Sequence, residues 1–261
     1  MVELCFAFRS QEFYGFEEDA VWPDLLHNLY LGNGKDACGA SLVLLVECGL
    51  YGETRPDAEW SLCFKRMFLA YQQKMRHHRI TTSCPAFSIA TCNARGVANF
   101  EAKAAHIKHV FFFVADELSI AAASDCSTAE VDLAAFAMYN LVQFIQVTDR
   151  AALILSVDEA NAAYKFGRAY LKSYKQLALL ALSTGALRWK VRPKCHYLDH
   201  SLRDMRKYRW NPRFFACWCD EDYMGRITRL ASRCHRSTVT STALLRYFIL
   251  LAHRWMQANA G

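Results

Sequence analysis

Apolar residues recur along most of this chain at intervals of three and four, which is the period of an amphipathic helix. Alternation with the period of a strand is confined to short pieces at residues 4–8, 20–22 and 187–191. The pattern therefore predicts a mainly α fold with eight or nine helices and at most two or three short strands. The clearest helical stripe consists of Trp60, Phe64, Met67, Phe68, Tyr71 and Met75. The helix that carries it is expected to start at residues 55–57.

Capping residues and glycines set the predicted ends of the first helices. Asp24 is a candidate N-cap for a short helix that Gly32 and Gly34 end. The next helix is expected from about residue 36 to 48, with Gly49 as its terminator. A long irregular connection is predicted at residues 80–98, and Asn99 is the candidate cap of the helix that follows.

Two further helices are predicted to begin at capping boxes, in which a hydroxyl accepts from an early amide and a glutamate three residues later reaches back. These are Ser127-Thr128-Ala129-Glu130 and Ser156-Val157-Asp158-Glu159. They open a helical hairpin over residues 128–183 that Gly185 closes. A short helix at 195–200 and helices at 220–234 and 238–256 complete the prediction.

Composition indicates an intracellular protein with a packed core. Of the 261 residues, 53% are hydrophobic and 21% are charged, so disorder is not the default. No apolar run reaches the roughly 18 residues of a membrane span, and no signal peptide is recognisable. We therefore expect no membrane partner. The 11 cysteines are odd in number and scattered, which predicts reduced thiols.

Basic residues are concentrated in the last third of the chain. The net charge is +6, and residues 188–254 contain 15 Lys and Arg against five acids. Such a bias favours a polyanion partner such as DNA, although a solvated basic surface is the alternative. The side chains predicted to contact phosphates are Arg203, Arg206, Lys207, Arg213, Arg226 and Arg229.

Two acidic regions are candidates for metal binding. Asp24 and His27 are one helical turn apart and can point at one site, although capping by Asp24 explains the same spacing. Asp220-Glu221-Asp222 opens a later helix, where acids also favour the positive end of the dipole. Two-metal phosphoryl transfer requires carboxylates that converge on Mg²⁺ from distant parts of the chain.

Two other patterns are weaker. Gly32-Asn33-Gly34-Lys35 resembles a phosphate-cradling turn only loosely, because it lacks the length and the Ser/Thr of a P-loop. A zinc site is not predicted either, since the Cys-x-Cys spacing of Cys217 and Cys219 is not that of a zinc knuckle. A zinc-stabilised module nevertheless stays an alternative, in which Cys195, His196 and His200 would join those two cysteines as ligands.

Three motifs, in this order, resemble the C-terminal part of DDE/D-type transposases, in particular the CACTA, Plavaka and Kyakuja–Dileera–Zisupton groups. The first is Pro23-Asp24-Leu25-Leu26-His27 with Leu31-Gly32 after it. The second is Arg192-Pro193-Lys194-Cys195-His196-Tyr197-Leu198-Asp199-His200. The third is Asp220-Glu221-Asp222-Tyr223-Met224-Gly225.

The resemblance implies a ribonuclease H-like fold that carries a helical insertion and performs Mg²⁺-dependent DNA strand transfer. Asp24 would match the second acidic region, and Glu221 or Asp222 the last acid. These three residues would be the catalytic and metal-binding side chains, while His27 and Lys35 would contact the substrate. The implied parts are a strand and turn region at 1–35, the insertion at 36–185 and a basic C-terminal region at 186–261.

One departure from the family pattern concerns its first catalytic aspartate, which lies on a strand well upstream of the Asp-x-x-His region. Only 23 residues precede Asp24, too few for the sheet that should come first at about 5–6 residues per strand. We therefore expect a nuclear, transposase-derived fragment that binds DNA but does not cleave it alone. A non-catalytic helical scaffold for protein interactions is the main rival.

Overall fold

The structure of this chain is a computed structural model that describes residues 22–52 and 58–258. The strand expected at residues 4–8, most of the one expected at 20–22 and the helix start expected at 55–57 lie outside this range. Inside it no strand is formed, and one isolated antiparallel bridge joins Ile154 to Trp210. The prediction of a mainly α fold is therefore confirmed.

Along the described residues, a π-helical segment, Leu26–Asn33, precedes eight α-helices. These are α1 (Gly34–Glu47), α2 (Ala58–His77), α3 (Ala104–Ala122), α4 (Ala129–Arg150), α5 (Val157–Thr184), α6 (Pro193–Tyr208), α7 (Trp218–Ala231) and α8 (Val239–Ala258). Short 3₁₀-helices, Pro212–Phe215 and Arg236–Thr238, precede α7 and α8.

The chain divides into two compact units. The first ends at Ala216 and contains α1 to α6, and the second starts at Cys217 and contains α7 and α8. The division expected from the resemblance, at residues 35 and 185, stays a prediction.

The core of the first unit is built from the apolar faces of its helices. α4 packs against α3 and α5, and α5 packs against α6. Phe64, Phe111, Phe144 and Tyr170 are almost fully buried there. Burial of one such side chain contributes about 1.5–3 kcal/mol, so tertiary packing stabilises these helices more than intrinsic propensity does.

α4 is also the one described helix that is long and apolar enough to cross a membrane. Of its most apolar stretch, 56% is buried inside the fold. Its place between α3 and α5 accounts for that composition, because a helix that is covered on two sides needs apolar residues on both.

The expected break at Gly32 and Gly34 is a kink rather than the end of a helix. Gly32 has non-helical dihedrals, φ −107° and ψ −112°, and the chain continues directly into α1. A Cβ on Gly34 would lie 2.4 Å from Cζ of Phe111. Glycine is therefore needed at this position for close packing against α3, which the sequence pattern could not show.

One of the two predicted capping boxes is present. Ser156 accepts a hydrogen bond from the Glu159 amide, and the Glu159 carboxylate accepts from the Ser156 amide. The box predicted at Ser127 is wrong, because Thr128 is the N-cap of α4 and the Glu130 side chain binds elsewhere. Gly185 ends α5 in the left-handed region, as expected.

Other predicted boundaries are also corrected. α3 has its N-cap at Lys103 rather than Asn99, because the Asn99 backbone packs against α1, where a Cβ on Gly39 would lie 2.3 Å from Asn99 Cα. The segment expected to be extended at 187–191 is an irregular turn in which Trp189 has φ +57°. α6 continues to Tyr208, well beyond the predicted end at residue 200.

Candidate nucleic-acid interface

The antiparallel pair α5 and α6 forms one surface of the first unit. A Cβ on Gly167 of α5 would lie 2.4 Å from Cδ2 of Leu202, so glycine allows the two helices to approach closely. The guanidinium of Arg206 lies 4.7 Å from the ring centroid of Tyr164, and Arg168 forms an ion pair with Asp199. These contacts fix the register of the two helices and place their outer faces side by side.

A stripe of basic residues follows the outer face of α5. Its members are Lys165, Arg168, Lys172 and Lys175, all of them exposed. Their spacing of three, four and three places them within a narrow sector of the helix. The acids of α5 are confined to its first turn, at Asp158 and Glu159. No acid of α5 therefore lies within one helical turn of any cation of the stripe. We name these four cations the α5 stripe.

The residues predicted to contact phosphates on α6 border the α5 stripe. Arg203, Arg206 and Lys207 are all exposed. Asp199 accepts from Arg203 at 2.7 Å and also pairs with Arg168, so one carboxylate is shared by two guanidinium groups. The combined surface keeps an excess of positive charge, which is the electrostatic requirement for a phosphate-binding face.

Two other predicted contacts have partners within the first unit. Arg213 donates to the Asp149 carbonyl oxygen at 2.5 Å and lies 3.5 Å from its carboxylate. It therefore holds the 3₁₀-helix Pro212–Phe215 against the end of α4. Lys35 Nζ lies 3.1 Å from a carboxylate oxygen of Glu101.

The Asp24–His27 pair predicted for metal binding is formed at the start of the π-helical segment. Asp24 Oδ1 accepts from the Leu26 amide at 2.9 Å, as a capping side chain does. Asp24 Oδ2 lies 2.5 Å from His27 Nδ1. Both carboxylate oxygens therefore have local partners, and the capping interpretation that the sequence left open describes this geometry well.

The second acidic region belongs to the second unit. Glu221 and Asp222 are exposed on the first turns of α7, and Asp222 lies 2.5 Å from an Arg226 guanidinium nitrogen one turn later. Arg229 is exposed on the same helix. Because Asp24 lies in the first unit, the convergence of these carboxylates on one cation stays a prediction.

Two arginines from the basic last third form ion pairs within the first unit. Arg192 donates to both carboxylate oxygens of Asp36, at 2.5 and 2.8 Å, and the Asp36 side chain is fully buried. Arg188 binds Glu47 and Glu130 in the same manner. Both guanidinium charges are paired with acids of the first unit, so the charge available to a polyanion is smaller there than the sequence indicates.

Within the first unit, the residues considered for zinc lie in different environments. Cys195 Sγ accepts from the Asn33 side-chain amide at 3.0 Å, and burial raises the pKa of this thiol. His196 and His200 instead lie on an exposed face of α6, and Cys217 belongs to the second unit.

Comparison of the chain with protein-family models, with curated proteins and with solved structures finds no match. The α5 stripe was not predicted, because the phosphate contacts expected from the sequence were taken from the basic region at residues 188–254. Its signal was available as four bases at helical spacing in a stretch, residues 160–184, that has no acid.

Proposed function

We propose that this chain binds the phosphate backbone of DNA through the face formed by the α5 stripe and Arg203, Arg206 and Lys207 of α6. The observation that carries the proposal is the stripe itself, because its four cations share one helical face in a stretch, residues 160–184, that contains no acid. Cations that neutralise phosphates release condensed counterions, and this supplies sequence-independent affinity.

The dimensions of the stripe suit a duplex. From Lys165 to Lys175 the helix rises about 15 Å, at about 1.5 Å per residue. Phosphates on one DNA strand follow each other at about 3.4 Å along the axis. The stripe is therefore as long as about four such steps, which suits contacts that position the protein on the backbone but do not read sequence.

Salt dependence of DNA affinity tests the proposal. Binding of a labelled duplex is measured by fluorescence anisotropy over a series of NaCl concentrations. Each lost phosphate contact reduces the slope of log K against log salt by about 0.9. The triple variant K165Q/K172Q/K175Q should therefore reduce the slope by about 2.7, equally for unrelated sequences.

A matched control removes the same charge elsewhere. Lys65, Arg76 and Lys103 are exposed cations outside the α5–α6 face, and K65Q/R76Q/K103Q should leave the slope near that of the original chain. Equal reductions of the slope in the two triple variants would mean that net charge alone explains the binding. An affinity of the unmodified chain that does not change with salt would refute the proposal.

The incomplete strand-transfer site that the transposase resemblance implies forms a separate part of the proposal, and we expect the chain alone to be inactive at it. It requires Asp24 and Glu221 or Asp222 to hold Mg²⁺ together, in the manner of two-metal phosphoryl-transfer sites. The DNA-binding proposal does not depend on that site, because its cations lie on α5 and α6.

A role in protein interactions is the second candidate, and the surface of α8 favours it. Leu245, Phe248 and Trp255 are 62%, 61% and 72% exposed, whereas apolar helix faces are normally covered. Sedimentation velocity over a range of protein concentrations would detect self-association. Association that Phe248→Asp abolishes would support this role, and an unchanged monomer at every concentration would count against self-association.

A further inference from the structure

His196 and His200 form a close pair on the exposed face of α6. They are one helical turn apart, and their Nε2 atoms are separated by 2.9 Å. The rings are nearly perpendicular, at 87°, with centroids 4.3 Å apart. Two ring nitrogens therefore converge on one point at the surface.

At this distance the pair has room for a single shared proton. One neutral imidazole donates its Nε2–H and the other accepts with its lone pair. A second proton would bring two imidazolium charges together, which is unfavourable. A divalent metal ion is the other species that can occupy the space between two such nitrogens, because it accepts both lone pairs.

The nitrogen separation agrees with chelation. Metal–imidazole bonds of about 2.0–2.1 Å at an angle of about 90–109° hold two nitrogens about 2.9–3.4 Å apart. Histidines four residues apart on a helix supply two zinc ligands in known helical motifs for the same reason. The rigid helix also positions both side chains in advance, so little conformational entropy is lost on binding.

We propose that His196 and His200 chelate one borderline divalent transition metal ion, of the class Zn²⁺, Ni²⁺ or Cu²⁺. Imidazole selects these ions over Mg²⁺ and Ca²⁺, which prefer oxygen ligands. Asp199 does not join the pair, since it binds Arg168 and Arg203. In the described part of the first unit no third protein ligand lies with the two histidines. Water therefore completes the coordination, and the site is open.

This site differs from the structural zinc site that the cysteine spacing disfavours. A structural zinc would have four protein ligands and would unfold the protein when removed. The pair on α6 is held by the helix alone, so removal of the metal leaves the fold intact. The site is also independent of the proposed DNA binding, because it needs neither the lysines of the α5 stripe nor a phosphate.

Isothermal titration of the full chain with NiCl₂ under reducing conditions tests this inference, with MgCl₂ as the ion that should not compete. The unmodified chain should bind one more Ni²⁺ than H196Q/H200Q, and each single variant should bind that ion at least tenfold more weakly. Binding should weaken on acidification, because protons compete with the metal ion for the imidazole lone pairs.

The control uses His77 and His78, which are exposed neighbours at the end of α2. The centroids of these two rings are 5.2 Å apart, farther than the 4.3 Å of the pair on α6, so H77Q/H78Q should keep the binding of the unmodified chain. Circular dichroism should show the same helix content in all variants. A titration that is unchanged in H196Q/H200Q, or lost equally in H77Q/H78Q, would overturn the proposal.

Discussion

Glu130 shows how a single side chain can join three distant parts of the first unit. It lies in the first turn of α4 and accepts from Arg188 at 2.5 and 2.7 Å and from the Trp189 indole at 2.7 Å. Arg188 also pairs with Glu47 at the end of α1. Burial alone would raise the pKa of Glu130, but the hydrogen bonds from Arg188 and Trp189 outweigh it, and its pKa lies below the ordinary value.

Replacement of Glu130 by Gln should therefore destabilise the protein in a pH-dependent manner. A carboxylate whose pKa is lowered by folding stabilises the folded state at pH values above the pKa that it has in the unfolded chain. This contribution is lost as the pH falls through the pKa that it has in the folded state. We expect E130Q to lower the free energy of unfolding by about 2 kcal/mol near neutral pH. The difference should shrink as the pH falls below 4.5, the ordinary value of the group.

Urea unfolding at a series of pH values measures this difference. E101Q is the control, because Glu101 is 65% exposed in its pair with Lys35 and such surface pairs contribute little. A constant gap between the original chain and E130Q from neutral to acidic pH would contradict the assigned role of the Glu130 charge.

At the scale of elements, the two capping boxes show where local sequence is sufficient. The Ser156–Glu159 box closes within four residues, and the helix it opens was predicted correctly. At Ser127 the same spacing failed because Glu130 binds Arg188, 58 positions away. Ser127 bonds the Asp132 side chain instead, so a long-range ion pair replaced the local motif.

The two serines should therefore respond differently to removal of the hydroxyl. Ser156→Ala deletes an N-cap and should cost about 1 kcal/mol in unfolding free energy. Ser127→Ala removes an exposed hydrogen bond outside the cap and should cost less than half as much. Thermal or urea unfolding monitored by circular dichroism distinguishes them, and equal losses would mean that Ser127 also caps α4.

Over the whole molecule, the sequence predicted the helical class but not the distribution of usable charge. The helical period is repeated over many residues, so single positions that depart from it do not hide it. The mainly α fold was predictable for this reason. Arg188 and Arg192 appeared to be surface cations, yet their acidic partners Glu47, Glu130 and Asp36 are supplied by α1 and α4. The partner of a charge depends on tertiary packing, and a single sequence does not encode it in a short motif.

The last prediction concerns DNA cleavage, which would need both units. Asp24 already accepts from the Leu26 amide and contacts His27, and Asp222 is paired with Arg226. A Mg²⁺ ion would have to displace these partners before it could join the two carboxylates. We therefore expect supercoiled plasmid incubated with the full chain and Mg²⁺ to remain unnicked, even under conditions where the α5 stripe binds it.

The variants D24N and E221Q/D222N test whether any observed cleavage depends on these acids. If nicking occurs and both variants abolish it, the acids share a cation and the expectation of inactivity is wrong. If nicking persists in both, it comes from another site or from a contaminating nuclease. If nicking is absent while the salt-dependent DNA affinity depends on Lys165, Lys172 and Lys175, binding without cleavage is the activity of this chain.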